Sequence, residues 1–181
     1  SACPASQVSY YYDRIKANYD VCDLWRQRAL DYMVQLRPDL VIMGSRDYGF
    51  PSEQWITGTR AVLKRLSAAA RSVVIVSPTP DLGFDGPNCL SREVNLPHWM
   101  PHHGRCVTKL GAPANPSTLE ILERAAKPYS NVGVLDLTES VCPDKTCRAR
   151  IPTGIVFRDN QHLTASFVKS LAPVFERALQ T

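Results

Sequence analysis

The sequence predicts an α/β fold built on an open parallel sheet. Two short apolar runs, Leu40 to Met43 and Val73 to Val76, read as strands buried on both faces, the mark of a parallel sheet, and Val132 to Leu137 reads as a third strand. Between and after them lie segments whose apolar residues recur every three or four positions. Strands alternating with helices in this way imply right-handed crossovers on a shared sheet.

Taken in order, residues 1 to 19 are polar and aromatic, with Tyr10-Tyr11-Tyr12 in a stretch that lacks either period, and read as a loop. From Cys22 the pattern turns helical, with Trp25, Ala29, Met33 and Leu36 on one face. Asp20 or Asp23 is placed to cap its start. Pro38 ends it, because the residue before a proline avoids helical geometry. The first strand follows and closes at Gly44. Ala61, Val62, Leu66 and Ala69 mark a second helix, and the second strand is closed by Pro78 and Pro80. The Gly- and Pro-rich stretch from Asp81 to Pro116 shows little period, and a loop that long in a compact domain is functional or cross-linked. A third helix is expected from Ser117 to Ala126, with Glu120 as the third residue of a capping box. The last helix starts near Thr164, carries Phe167, Val168, Leu171, Val174, Phe175 and Leu179 on one side, and is kinked by Pro173.

The chain has 181 residues, of which 44% are hydrophobic, enough for one domain with its own core over residues 1–181. Its net charge of +4 comes from basic residues scattered along the sequence, which argues against nucleic acid as a partner. No apolar run approaches the ~20 residues that span a bilayer. The sequence starts at Ser and shows no leader, so it reads as a piece of a longer protein. The six cysteines allow 15 pairings. None of their spacings forms the C-x-x-C knuckle of a zinc site.

The chemistry concentrates in Phe157-Arg158-Asp159-Asn160-Gln161-His162-Leu163-Thr164. With Asp and His three residues apart in a loop, the Asp159 carboxylate folds back onto one imidazole nitrogen of His162. That bond fixes the tautomer and leaves the other nitrogen free as a general base. A serine hydroxyl needs such a base beside it to act as a nucleophile at neutral pH.

These residues resemble the closing block of SGNH hydrolases. Asp159-x-x-His162-Leu163-Thr164, followed by Ser166 and Ser170-Leu171-Ala172-Pro173, is similar to the form found at the C-terminus of membrane-bound acyltransferase-3 proteins, which O-acetylate bacterial surface glycans. Ser1-Ala2-Cys3-Pro4, Cys22-Asp23-x-Trp25-Arg26, Arg37-Pro38-Asp39-Leu40-Val41, Asn88-Cys89-Leu90-Ser91 and Cys142-Pro143-Asp144-x-x-Cys147 resemble its other landmarks, in its order. The resemblance runs from Ser1 nearly to the last residue. It implies a flavodoxin-like three-layer α/β/α sheet of SGNH type lacking its first strands, since the family's Gly-Asp-Ser block precedes Ser1 in the pattern. It implies Asp159 and His162 as catalytic residues with a serine upstream of this chain as nucleophile. It favours the disulfides Cys3–Cys22, Cys89–Cys106 and Cys142–Cys147, and local bridges of that kind imply an oxidising compartment, periplasm or cell surface. The implied partners are a bacterial surface glycan, an acyl donor and an N-terminal membrane acyltransferase domain, which tethers the full-length protein to the inner membrane. No metal or other cofactor is implied.

The turn after the first strand, Gly44-Ser45-Arg46-Asp47-Tyr48-Gly49, lies at the carboxyl edge of the sheet, where ligands of open α/β sheets bind. The family pattern places an oxyanion-holding Asn where Arg46 stands. A guanidinium there is able to take that role, and the competing reading is a solvent-facing Arg46–Asp47 pair. Ser45 is the alternative nucleophile, on a turn that exposes a hydroxyl, although no second glycine follows in G-x-S-x-G spacing. Tyr48, Phe50 and Trp55 suit either a sugar-stacking surface or the core. His98 and His102 have an i, i+4 spacing, but Pro97 and Pro101 argue against the helix that would aim them, with His103, at one metal. Two further functions compete with acyl transfer: a non-catalytic glycan-binding module that keeps Asp159 and His162, and a free secreted esterase.

Overall fold

The structure is a computed structural model that describes residues 3–44, 46–95, 106–112 and 116–179. In chain order its elements are β1 (Tyr11–Tyr12), β2 (Ala17–Asn18), α1 (Asp20–Leu36), β3 (Leu40–Gly44), α2 (Ser52–Ala69) and β4 (Ser72–Val76). Then come α3 (Gly86–Val94), β5 (Val107–Lys109), α4 (Thr118–Ala126), β6 (Val132–Leu135) and α5 (Thr138–Val141). A 3₁₀ turn (Pro143–Lys145) leads to β7 (Thr146–Arg148), β8 (Arg150–Ile151), β9 (Gly154–Ile155), α6 (Ala165–Ser170) and α7 (Ala172–Leu179). The chain divides into two compact units, Ser1–Pro78 with Pro113–Asp136, and Thr79–Ala112 with Leu137–Thr181.

The first unit holds a parallel sheet in the order β3-β4-β6. Val41 pairs with Val73, and Val73 with Val132. β4 lies between two neighbours, and its Val73, Val74 and Ile75 are all buried, which is why its sequence is an unbroken apolar run. Leu30 of α1, Val62, Leu63 and Leu66 of α2, and Leu122 and Ala126 of α4 pack with Val41, Val73 and Ile75. Each fully buried Val, Leu or Ile of this layer contributes about 1.5–3 kcal/mol of transfer free energy. The expected capping box is present at α4, where the Ser117 hydroxyl accepts from Glu120 N–H at 3.2 Å and the Glu120 carboxylate accepts from Ser117 N–H at 2.6 Å.

Several elements differ from the sequence expectation. The N-terminal segment is not all loop, since β1 and β2 form a short antiparallel hairpin. The helix expected from Cys22 starts at Asp20 behind Tyr19, with no side-chain cap. Asp23 instead bonds Arg26 at 2.8 Å. Its buried face is Cys22, Arg26 and Leu30, whereas Trp25 and Leu36, expected in the core, are 61% and 55% exposed. Arg26 is buried because its guanidinium finds partners: Nε donates to Pro4 O at 3.1 Å, and other nitrogens reach Asp23 and the Cys22 sulfur. β3 is not buried on both faces. Val41 is buried, but Leu40 and Ile42 are exposed, and no strand among the described residues pairs with its edge away from β4.

The N-terminal segment is held on α2 by close packing. Gln7 N–H donates to Gly58 O at 3.0 Å, and the buried Ser6 and Thr59 hydroxyls lie 2.8 Å apart. A Cβ on Gly58 would stand 2.6 Å from Gln7 O and from Val8 Cγ2, so only glycine admits this approach.

The second unit is built around Leu82, Cys106, Val141, Cys142, Cys147, Ala149, Val156, Phe157 and Leu171. Disulfides join Cys89 to Cys106 and Cys142 to Cys147 here, and Cys3 to Cys22 in the first unit. The stretch from Asp81 to Pro116 carries α3 and β5. Asp85 starts α3 by accepting from Asn88 N–H at 2.8 Å, with a proline in the first turn. β5 pairs antiparallel with β7, and β8 with β9. The last helical run begins at a Thr164 cap and breaks at Leu171, two residues before Pro173, into α6 and α7.

Candidate active site

The segment after β9 builds a pinned loop. Val156 and Phe157 are buried, Phe157 bridges Leu163, and Arg158 N–H donates to His162 O at 2.7 Å. Thr164 closes the far side: its N–H donates to Val156 O at 2.9 Å, and its hydroxyl donates to Ile155 O at 2.6 Å. Between these stems stand Asp159, Asn160, Gln161 and His162.

Within the loop Asp159 Oδ1 accepts from Gln161 N–H at 2.8 Å and from His162 N–H at 2.7 Å. Its Oδ2 lies 2.7 Å from His162 Nδ1. The two backbone donors, His162 before Gln161, and then the ring itself hold the Asp159 carboxyl down at about 2. An ionised carboxylate only accepts, so Nδ1 carries the hydrogen and Nε2 of the neutral ring carries a lone pair. No described residue bonds Nε2, and the His162 side chain is 66% exposed. The loop therefore presents a hydrogen acceptor of fixed tautomer to an incoming hydroxyl.

The turn after β3 is differently engaged. Gly44 ends the strand opposite Val76. Ser45 lies outside the described residues, as do His98, His102 and His103. The Arg46 guanidinium stands 5.2 Å from the Tyr48 ring centre, and its Nε donates to Asp47 O at 3.4 Å. The Asp47 carboxylate accepts from Gly49 N–H and from the Thr118 hydroxyl, both at 2.7 Å. Gly49 has φ +68°, the left-handed value this turn requires. Tyr48 and Phe50 stack on each other with Tyr10 at their edges, and Trp55 is buried with Ile56, Ile121 and Ala125. Tyr48 thus has Phe50 and Arg46 against it, and Trp55 belongs to the core.

Sequence reasoning missed one polar pair at the same sheet edge. Ser77 and Asp136 directly follow β4 and β6, and the Ser77 hydroxyl donates to Asp136 Oδ1 at 2.8 Å. The available signal was position alone: each is the first residue after a strand of the parallel sheet. Among the described residues no three His, Cys, Asp or Glu side chains are grouped to hold a metal, and no helix is long and apolar enough to cross a membrane.

The α/β chain thus carries a helix-packed parallel sheet in its first unit and, in its second, a loop-borne Asp–His pair whose Nε2 no described residue bonds. The chain belongs to the family described as SGNH domain (fused to AT3 domains), which matches residues 1–177. That family is of acyltransferase and esterase type. The fold is also that of a solved structure titled as the periplasmic domain of a lipopolysaccharide acetyltransferase from Salmonella ser. Paratyphi A. The two are 13% identical with a TM-score of 0.66, over 96% of this chain and 69% of the other. No curated protein matches the sequence.

Proposed function

We propose that this domain transfers or removes an acyl group, acetyl by preference, on a bacterial cell-surface glycan, with His162 as general base and Asp159 as its orienting partner. The observation that carries the reading is the 2.7 Å contact of His162 Nδ1 with an ionised Asp159, which leaves Nε2 open. The nucleophile in this reading is the serine of a Gly-Asp-Ser segment upstream of this chain, a tripeptide absent from its 181 residues. His162 Nε2 takes the seryl proton as Oγ attacks the acyl carbon, and returns it to the leaving oxygen or sulfur. The acceptor hydroxyl, or water, then loses its proton to Nε2 as it attacks the acyl-serine, and the serine recovers that proton. Asp159 stabilises the imidazolium formed in each half.

The open side of β3 supports a contribution from outside the chain. Ile42 is 51% exposed on an edge with no strand partner among the described residues. Beside the buried face of α1, Val21, Leu24, Trp25, Tyr32 and Leu36 form an exposed apolar stripe. A long apolar edge left bare is a template for aggregation, and proteins cover such edges. A preceding strand bearing the serine would cover this one. Three disulfides suit an oxidising compartment, and fusion to an acyltransferase-3 membrane domain would hold the domain at the periplasmic face of the inner membrane.

Hydrolysis of an activated acetyl ester tests the reading. A protein extended upstream through its Gly-Asp-Ser segment is expected to turn it over and to lose activity on His162→Ala. Equal activity of the extended protein and its His162→Ala variant would overturn the proposal. Glycan binding without ester turnover would favour the non-catalytic module.

A further inference from the structure

The Asp159–His162 loop is only four residues long, and its two middle residues have side chains that the dyad itself does not use. Both are gripped from a second loop. Asp81 Oδ2 accepts from Gln161 Nε2 at 3.1 Å and from Asn160 Nδ2 at 3.5 Å. Its other oxygen accepts from Gly83 N–H at 2.6 Å, which fixes the carboxylate's direction. The backbone runs the same way: Leu82 N–H donates to Asn160 O at 2.8 Å. Leu82 is fully buried, and its own carbonyl accepts from the Thr108 hydroxyl at 2.6 Å. Pro80 restricts the backbone just before Asp81.

We propose that Asp81 is a positioning residue for the Asp159–His162 pair, clamping the amides of Asn160 and Gln161 to a loop anchored by Leu82. The coupling is geometric. Asp159 Oδ1 accepts from the Gln161 and His162 N–H groups while Oδ2 accepts from the ring, so all three bonds need residues 160 to 162 in one arrangement. A turn of the Asn160–Gln161 peptide swings the Gln161 N–H off the carboxylate and displaces His162, whose own N–H and ring bonds depend on the same arrangement. The Asp81 carboxylate and the Leu82 N–H that donates to Asn160 O oppose that turn from the outer side. Asp81 touches neither partner of the dyad and acts through the loop. Its catalytic meaning rests on the proposed role of His162 as base, whereas the clamp itself is a property of this chain alone.

The test therefore reads the ring and not turnover. Long-range ¹H–¹⁵N spectra of the 181-residue chain at neutral pH report the His162 tautomer, and amide exchange reports the Gln161 and His162 N–H bonds. The parent is expected to show hydrogen on Nδ1. Asp81→Ala is expected to mix the tautomers and to speed exchange at both amides about tenfold or more, with β4 amides unchanged. Asp81→Asn leaves one acceptor oxygen to serve Gly83 N–H on one side and the two amides on the other, and is expected to fall between the parent and Asp81→Ala. No effect of either substitution would overturn the clamp. If Asp81→Ala does not fold, the double variant Asn160→Ala/Gln161→Ala removes the donors instead and is expected to give the same spectra. A parent-like ring in that variant would equally overturn the proposal. A failure of ester turnover in the extended protein leaves these spectra unaffected, which separates the two claims.

Discussion

Asp159→Asn separates what the dyad does for the fold from what it does for chemistry. The amide oxygen of Asn can still accept from Gln161 and His162 N–H, at 2.8 and 2.7 Å in the parent. The other terminal atom becomes an N–H donor 2.7 Å from Nδ1, which itself carries a hydrogen. The ring answers by moving its hydrogen to Nε2, so the atom proposed to receive the seryl proton no longer has a lone pair. The cost to stability is small. The bond lost involves a ring 66% exposed, and exposed charged pairs contribute about 0–1 kcal/mol. The cost to catalysis follows the tautomer, and in a serine triad the corresponding change lowers turnover about 10⁴-fold, about 5.4 kcal/mol of barrier. Denaturation of the 181-residue chain measures the first quantity. The acylation rate of a protein extended through its Gly-Asp-Ser segment measures the second. A rate loss under about tenfold, with the fold intact, would refute the claim that Asp159 sets the tautomer of a working base.

Three other outcomes follow from the same structure. Asp159 has its carboxyl lowered from 3.8 to about 2 in the folded loop. Its contribution is therefore complete above pH ~4 and lost as pH falls through ~2, so the His162 N–H resonance should move with a midpoint near 2, and a midpoint at 4 would contradict the three-bond geometry. Gly58→Ala places a methyl 2.6 Å from Gln7 O and Val8 Cγ2 and is expected to cost about 1–3 kcal/mol in urea denaturation, whereas an unchanged midpoint would mean that residues 7–8 do not lie on α2. Breaking Cys3–Cys22 or Cys89–Cys106, which close separations of 19 and 17 residues, should cost ~3 kcal/mol by loop entropy. Breaking Cys142–Cys147, across 5, should cost ~2; non-reducing peptide maps and denaturation of Cys→Ala pairs decide both the connectivity and the order.

The parts of the fold legible in the sequence are those with one dominant local cause. Val73–Val76 read as a buried parallel strand because neighbours flank it on both sides, and Ser117 with Glu120 read as a helix start because the box is closed by adjacent residues. Asp159 and His162 were legible for the same reason, lying three residues apart in a loop too short to separate them. What failed depended on partners distant in sequence. Periodicity put Trp25 and Leu36 inside α1's packed face, but Arg26 takes that place because Pro4 O and the Cys22 sulfur satisfy its guanidinium. The apolar Leu40–Met43 run looked like an inner strand, yet the described chain leaves one edge open. α3 escaped notice because its nine residues include Gly, Pro, Asn and Ser, and its start is declared only by the Asp85 cap. Asp81, 79 residues from Asn160, carries no signal in the sequence at all.

The central claim is that this chain holds a base and its orienting carboxylate for a serine that another segment supplies. Fluorophosphonate labelling followed by peptide mapping tests it most directly. The account predicts no labelling of the 181-residue chain. It predicts labelling of the Gly-Asp-Ser serine in the upstream-extended protein, with that signal lost in the extended His162→Ala variant. Labelling of the 181-residue chain that disappears on Ser45→Ala would contradict it and make Ser45 the nucleophile.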